Sequence, residues 1–132
     1  MQIHESAEDY LETILLLQRR QGQVRSIDIV NELGYSKPSV SVAMKRLRES
    51  GYISMDHDGF ITLNPSGEEI AVRIYTRHYL LTQFLQKLGV SEATAAADAC
   101  KIEHDLSDET FERITDHALH HMQVDLPDFS HS

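Results

Sequence analysis

The first half of the chain contains five short apolar segments, and the three longest are each followed by a glycine. Three of them space their apolar residues at the period of a helix, and they cover residues 7–19, 26–33 and 37–50, followed by Gly22, Gly34 and Gly51. Two shorter runs, 52–55 and 60–63, flank an Asp58-Gly59 pair that suits a tight hairpin turn. Helix, short helix, turn, helix and hairpin, in this order, predict a winged helix-turn-helix.

Serines mark the expected starts of these helices. Ser6, Ser26 and Ser36 stand where a side-chain hydroxyl can accept a hydrogen bond from a backbone N–H of the first turn, so we expect all three to be N-caps. Pro38 is tolerated in the first turn that follows Ser36. The residues expected on the buried side of the third helix are Val40, Met44 and Leu47.

The second half of the chain is predicted to be entirely helical. A long helix should run from Pro65 to about Leu88, a shorter one should start after Ser91 and continue past His104, and a third should cover 108–121. The predicted fold class is therefore mainly α. A winged helix-turn-helix domain is expected over residues 1–64, followed by an all-helical domain over residues 65–132.

The charge of the chain is unevenly distributed. The net charge is −9, yet residues 19–48 contain seven basic and two acidic side chains, whereas residues 89–132 contain two basic and ten acidic ones. The first segment can approach a polyanion, and the second either suits divalent cations or simply aids solubility. No apolar run is long enough to span a bilayer, no export signal is visible, and Cys100 is the single cysteine. We therefore expect a cytoplasmic protein that has no membrane partner.

The third helix is the predicted DNA-reading element. Hydroxyls, a helix N-terminus and cationic side chains bind phosphate oxygens, and recognition helices meet DNA at their N-terminal end. The predicted DNA-binding residues are Arg25, Ser36, Lys37, Pro38, Ser39, Ser41, Lys45 and Arg46. The hairpin turn is not cationic and should contribute little to phosphate binding. The alternative is a solvated basic helix face without a partner.

A second group of residues has the chemistry of metal ligands. Asp9 and Glu12 lie three residues apart on one face of the first helix, and Cys100, Glu103 and His104 are spaced to share a face of another. Carboxylates suit hard ions, imidazoles suit most transition metals and thiolates suit softer ones. No single pair in this group indicates a metal site by itself.

Four stretches resemble the diphtheria-toxin-repressor family of metal-dependent regulators, in particular its short, two-domain manganese branch. They are SAEDYLETILLL, SKPSVSVAMKRLRESGYI, YTRHYLLTQFL and ACKIEHDLSDETFERI, and both halves match in order and spacing over about residues 5–121. The resemblance implies a homodimer, paired through the second half, that binds a palindromic double-stranded DNA operator. It also implies activation by Fe²⁺ or Mn²⁺ and the regulation, by repression, of iron or manganese homeostasis genes.

The resemblance places the metal ligands at Asp9, Glu12, His78, Cys100, Glu103 and His104. Five of these six retain the chemistry of the manganese branch, which has a carboxylate at the position of Cys100. The iron branch has a cysteine there but a methionine at the position of Asp9, so the chain is mixed and one or two ions per subunit remain possible. Ligands from both halves would let the ion stabilise the DNA-binding arrangement.

Two other classes of function compete with this interpretation. A metalloenzyme is disfavoured because no nucleophile, base and orienting group form a motif, so we expect no enzyme activity and no small organic substrate. A metal-independent winged-helix regulator or interaction module would use the same fold, with its carboxylates and histidines as surface residues. The histidines near the end of the chain, His117, His120 and His121, could form an adventitious metal site.

Overall fold

The computed structural model describes residues 5–127 and confirms the predicted mainly helical class. The elements are α1 (Glu5–Gln21), α2 (Ser26–Leu33), α3 (Lys37–Glu49), β1 (Ile53–Met55), β2 (Ile61–Leu63), α4 (Pro65–Lys87), α5 (Glu92–Ile102) and α6 (Asp108–His121). The chain divides into two compact units; the first ends at Arg73 and the second begins at Ile74, so the boundary falls inside α4. Within residues 5–127, none of the helices is both long enough and apolar enough to cross a membrane.

The core of the first unit lies among its three helices and the hairpin. Apolar residues of α1, α2 and α3 recur every three or four positions, and the side chains they bury include Leu11, Ile14, Leu17, Ile29, Val40, Met44 and Leu47. β1 and β2 pair antiparallel, with Ile53 opposite Leu63, and both of these side chains are buried. We call this hairpin, residues 53–63, the wing.

The wing turn forms at the predicted place. Gly59 has a φ of 86°, which a residue with a side chain rarely adopts. The carboxylate of Asp56 accepts hydrogen bonds from the backbone N–H groups of Asp58 and Phe60, each at 2.9 Å. The side chain at the start of the turn therefore satisfies backbone donors that the two short strands leave unpaired.

Of the three predicted N-caps, only Ser36 is confirmed. Its hydroxyl accepts a hydrogen bond from the Ser39 N–H at 3.3 Å. The prediction for Ser6 is wrong, because α1 already includes Glu5. The prediction for Ser26 is wrong by one residue, since the extended Arg25 occupies the cap position and its N–H donates to the Asp28 carboxylate at 2.8 Å.

The start of α4 packs closely against the residue that precedes β1. The Tyr52 carbonyl accepts a hydrogen bond from the Asn64 N–H at 2.9 Å. Gly67 lies in the first turn of α4, and a Cβ atom built on it would lie 2.2 Å from the same carbonyl oxygen. Glycine is therefore required here by the close approach of two backbone segments.

The second unit has its own apolar core, and it contains one departure from the predicted helices. Leu80, Ala118 and Val124 are buried and pack with partly buried neighbours from α4 and α6. The prediction that the middle helix continues past His104 is wrong, because α5 ends at Ile102 with Glu103 as its C-cap. The chain must turn there, since Ser107 is the N-cap of α6 and accepts from the Thr110 N–H.

Candidate metal site and nucleic-acid interface

The exposed face of α3 carries six of the predicted DNA-binding residues, whereas Ser36 is the N-cap of α3 and Arg25 is the cap of α2. All eight predicted residues are exposed: Arg25, Ser36, Lys37, Pro38, Ser39, Ser41, Lys45 and Arg46. The opposite face of α3 is anchored in the core by Val40, Met44 and Leu47. Hydroxyls and cations are thus presented to solvent from a helix whose position is fixed by packing.

Apolar side chains that are not among the predicted DNA-binding residues interrupt this polar face. Val42 is 50% exposed and Tyr35 is 48% exposed. A shallow depression of about 430 Å³ lies between α2 and α3, and it is lined by Ser26, Ile27, Val30, Lys37 and Ser41. The spacing of the buried residues of α3 could have revealed Val42, because position 42 lies on the side opposite to 40, 44 and 47. An exposed apolar side chain on a recognition helix can contact the methyl group of a thymine.

The wing turn carries two acidic side chains, Asp56 and Asp58, and the exposed imidazole of His57 lies 3.4 Å from the Asp58 carboxylate. The guanidinium of Arg25, which caps α2, lies over the ring of Phe60 at 4.3 Å from its centroid. The cation beside the wing therefore comes from α2.

Two side chains in the first unit have pKa values raised above their ordinary values. A hydrogen bond to Glu32, with an N–O distance of 2.7 Å, raises the pKa of Arg20. Burial raises the pKa of Tyr10, with a smaller contribution from Tyr35, whose ring centroid lies 5.9 Å from that of Tyr10. Neither shift changes the charge of its side chain at pH 7.

In the second unit, two histidines surround a buried carboxylate. The side chain of Glu103 has no exposed surface. Its Oε2 atom lies 2.9 Å from Nδ1 of His78 on α4, and its Oε1 atom lies 3.4 Å from Nε2 of His104 in the turn after α5. A carboxylate is costly to bury unless positive charge and hydrogen-bond donors compensate it. One carboxylate and two imidazoles in contact form a donor set that suits a divalent transition-metal ion.

Comparison with known proteins assigns both halves of the chain. Residues 2–60 match the family described as "Iron dependent repressor, N-terminal DNA binding domain", and residues 64–127 match "Iron dependent repressor, metal binding and dimerisation domain". The HTH-type transcriptional regulator MntR of Lysinibacillus sphaericus is 38% identical over 111 residues, which are 84% of this chain and 80% of that protein. The chain belongs to the iron-dependent repressor family. It is a DNA-binding transcriptional regulator that dimerises through its second half.

Other members of the iron-dependent repressor family agree with this assignment. The transcriptional regulator MntR of Salmonella typhimurium is 38% identical over 108 residues, which are 69% of its length. Among solved structures, a manganese-dependent transcriptional repressor in complex with manganese superposes with a TM-score of 0.79 at 28% identity, and the match covers 94% of this chain. IdeR from T. acidophilum superposes with a TM-score of 0.78 at 25% identity over 96% of this chain. The chain spans only 63% and 57% of these two solved chains.

The predicted ligands of this family member fall into three groups. His78, Glu103 and His104 are in contact in the second unit, as described above. Asp9 and Glu12 are half-buried on α1 in the first unit, three residues apart. Cys100 is exposed in the last turn of α5, so its side chain is not part of a buried core.

The histidines near the end of α6 are also exposed. The rings of His117 and His121 lie 5.1 Å apart, as residues one helical turn apart can. The described structure adds no third ligand to this pair, so its role as a metal site stays a prediction.

Proposed function

We propose that this regulator represses transcription by binding a palindromic operator as a homodimer when Mn²⁺ or Fe²⁺ is bound. The observation that carries the proposal is the buried Glu103 carboxylate with an imidazole at each oxygen, in a half of the chain that matches a metal-binding and dimerisation domain. The structural relatives include a repressor in complex with manganese. Because a DNA-binding regulator must share a compartment with its operator, we propose that the protein is cytoplasmic.

The proposed ligands are Asp9, Glu12, His78, Cys100, Glu103 and His104. The contacts within the second unit support His78, Glu103 and His104, and the family resemblance supports the other three. Oxygen and nitrogen donors suit both Mn²⁺ and Fe²⁺, whereas the thiolate of Cys100 favours the softer Fe²⁺ and the carboxylate of Asp9 favours the harder Mn²⁺. We propose one or two ions per subunit.

The residues of the chain and the ion have separate roles in this mechanism. The ion supplies positive charge to carboxylates that would otherwise repel each other. His78 orients Glu103 through a 2.9 Å contact, and Glu103 is held away from water. Because the proposed ligands come from both halves of the chain, metal binding favours the DNA-competent arrangement only to the extent that this arrangement binds the ion more tightly.

The DNA-binding half contributes contacts of two kinds. The hydroxyls of Ser36, Ser39 and Ser41 lie at or near the start of α3, where the positive end of the helix dipole also attracts phosphate. Lys45 and Arg46 extend the positive charge along the same helix. We propose that these groups set the position of the helix on the DNA backbone and supply the salt-dependent part of the affinity.

The deciding experiment measures operator binding as a function of metal. Duplexes selected from a random-sequence library by the Mn²⁺-loaded protein serve as the operator probe, and fluorescence anisotropy reports binding in Mn²⁺, in Fe²⁺ and in excess chelator. We expect tight binding only with metal. Equal affinity in chelator and in metal would contradict the proposal and favour the metal-independent regulator.

Variants assign the metal site. Glu103→Gln keeps the size of the side chain but removes its charge, and Glu112→Gln on the exposed face of α6 removes the same charge elsewhere. We expect Glu103→Gln and His104→Ala to abolish activation by metal while the protein remains a folded dimer. Glu112→Gln should respond like the unchanged protein. A normal metal response of Glu103→Gln would show that the carboxylate of Glu103 is not a ligand.

A further inference from the structure

Arg77 joins α4 to the turn that follows α5. Its side chain is only 5% exposed, and its Nη1 atom donates to the backbone carbonyl oxygens of Glu103 and Leu106, at 3.0 and 2.8 Å. Its Nη2 atom donates to the Asp108 carboxylate at 2.5 Å. One guanidinium therefore contacts the end of α5, the turn and the first residue of α6.

These contacts depend on the shape of arginine. A planar guanidinium presents several N–H donors in fixed directions, which lets it reach carbonyl groups and a carboxylate together, whereas a lysine is a single point charge. The guanidinium also lies over the ring of Phe111, 5.0 Å from its centroid. Carbonyl groups after the last turn of a helix need donors from elsewhere, and Arg77 supplies them.

Arg77 is the neighbour of His78, and the two residues hold opposite ends of Glu103. Arg77 binds the backbone carbonyl of Glu103, while His78 contacts its carboxylate. We propose that Arg77 is a positioning residue for the metal site, which fixes the turn carrying Glu103 and His104 so that both side chains are in place before the ion binds. The inference rests on the proposed role of Glu103 as a ligand, and it adds a residue that never touches the ion.

The main test compares Arg77→Gln with Arg113→Gln, which removes the same charge from an exposed position of α6. Isothermal titration calorimetry measures Mn²⁺ affinity at a temperature where circular dichroism shows both metal-free variants to be folded. We expect Arg77→Gln to weaken Mn²⁺ binding by about tenfold or more, the usual effect of removing a group that orients a ligand, and Arg113→Gln to change it less than twofold. An affinity of folded Arg77→Gln within twofold of the unchanged protein would overturn the inference.

Operator binding separates positioning from general damage. For Arg77→Gln, the Mn²⁺ concentration at half-maximal operator binding should increase by about the same factor by which the Mn²⁺ affinity decreases. The operator affinity at saturating Mn²⁺ should be unchanged. A lower operator affinity at saturation, with an unchanged midpoint, would mean that Arg77 acts on the fold rather than on the metal site.

A milder pair of variants decides the matter if Arg77→Gln does not fold. Asp108→Asn removes the negative charge from one contact of Arg77, and Glu109→Gln removes the neighbouring charge from the same first turn of α6. Because the Asp108 side chain is 82% exposed, we expect about a two- to fivefold loss of Mn²⁺ affinity for Asp108→Asn and none for Glu109→Gln. Equal Mn²⁺ affinities of Asp108→Asn and Glu109→Gln would overturn this inference and leave the proposed function intact. If the protein without substitutions binds neither Mn²⁺ nor Fe²⁺, the proposed function is overturned as well.

Discussion

Replacing Gly67 with alanine should destabilise the first unit, although alanine is the better helix former. The side chain of residue 67 would point at the Tyr52 carbonyl, with the new Cβ atom 2.2 Å from the oxygen and 3.0 Å from the carbon. Both partners belong to backbone segments, so neither can swing away as a flexible side chain could. To restore even the shortest normal contact, α4 and the residues before the wing must separate by about 0.8 Å.

Three effects set the change in the free energy of unfolding: one stabilises the variant and two destabilise it. Alanine favours a helix over glycine by at most about 1 kcal/mol. Forcing extra volume into a packed site costs about 1–3 kcal/mol. The separation also lengthens the 2.9 Å hydrogen bond from Asn64 to Tyr52, and such a bond contributes about 0.5–1.5 kcal/mol. The free energy of unfolding should therefore fall by about 1–3 kcal/mol.

Urea denaturation of the metal-free protein, followed by far-UV circular dichroism, measures this change. With a typical dependence of about 2 kcal/mol per molar urea, the midpoint of Gly67→Ala should fall by roughly 0.5–1.5 M. Glu69→Ala is the matched control, because residue 69 is exposed on the same helix and its replacement meets no backbone. If Gly67→Ala unfolds at the same urea concentration as the unchanged protein or higher, the close approach does not govern stability.

Three further outcomes concern binding. Lys45→Ala should weaken binding to every duplex and reduce the slope of log affinity against log salt by about one unit; an unchanged slope in a salt titration would contradict a phosphate contact. If Val42 contacts a thymine methyl group, uracil at that operator position should cost the unchanged protein roughly 0.8 kcal/mol, while Val42→Ala should bind both duplexes alike. Under anaerobic reducing conditions, Cys100→Glu should gain Mn²⁺ response relative to Fe²⁺, and Cys100→Ala should lose Fe²⁺ response; unchanged activation curves would exclude the thiolate as a ligand.

The elements of the first unit could be predicted because local signals agree with one another there. The apolar period, Gly34 with its φ of 72° and Ser36 as an N-cap all indicate the same helix boundaries. The predicted end of the middle helix of the second unit failed for an equally local reason. The spacing of Cys100, Glu103 and His104 fits a continuing helix, but the cap of the next helix forces the chain to turn at Glu103.

The metal site could be predicted only in part. The chemistry of its residues is visible in the sequence, yet His78 and Glu103 are separated by 25 positions, and only tertiary packing brings them to 2.9 Å. The family resemblance, rather than any periodicity, identified His78. Arg77 was not predicted, because a buried arginine is recognised by its partners. Two of these are backbone carbonyls, which leave no trace in the sequence, and the third, Asp108, is 31 positions away.

The stacking of Arg25 on Phe60 has a consequence for the entropy of DNA binding. An arginine on a protein surface samples many rotamers, and immobilising such a side chain at an interface costs about 0.5–1.5 kcal/mol. The backbone of Arg25 is fixed as the cap of α2, and an aromatic ring covers one face of its guanidinium. Much of the loss of rotamer freedom of Arg25 therefore precedes the binding of DNA in the proposed complex. The wing, whose turn is acidic, would then strengthen phosphate binding indirectly, by preorganising a cation that belongs to another element.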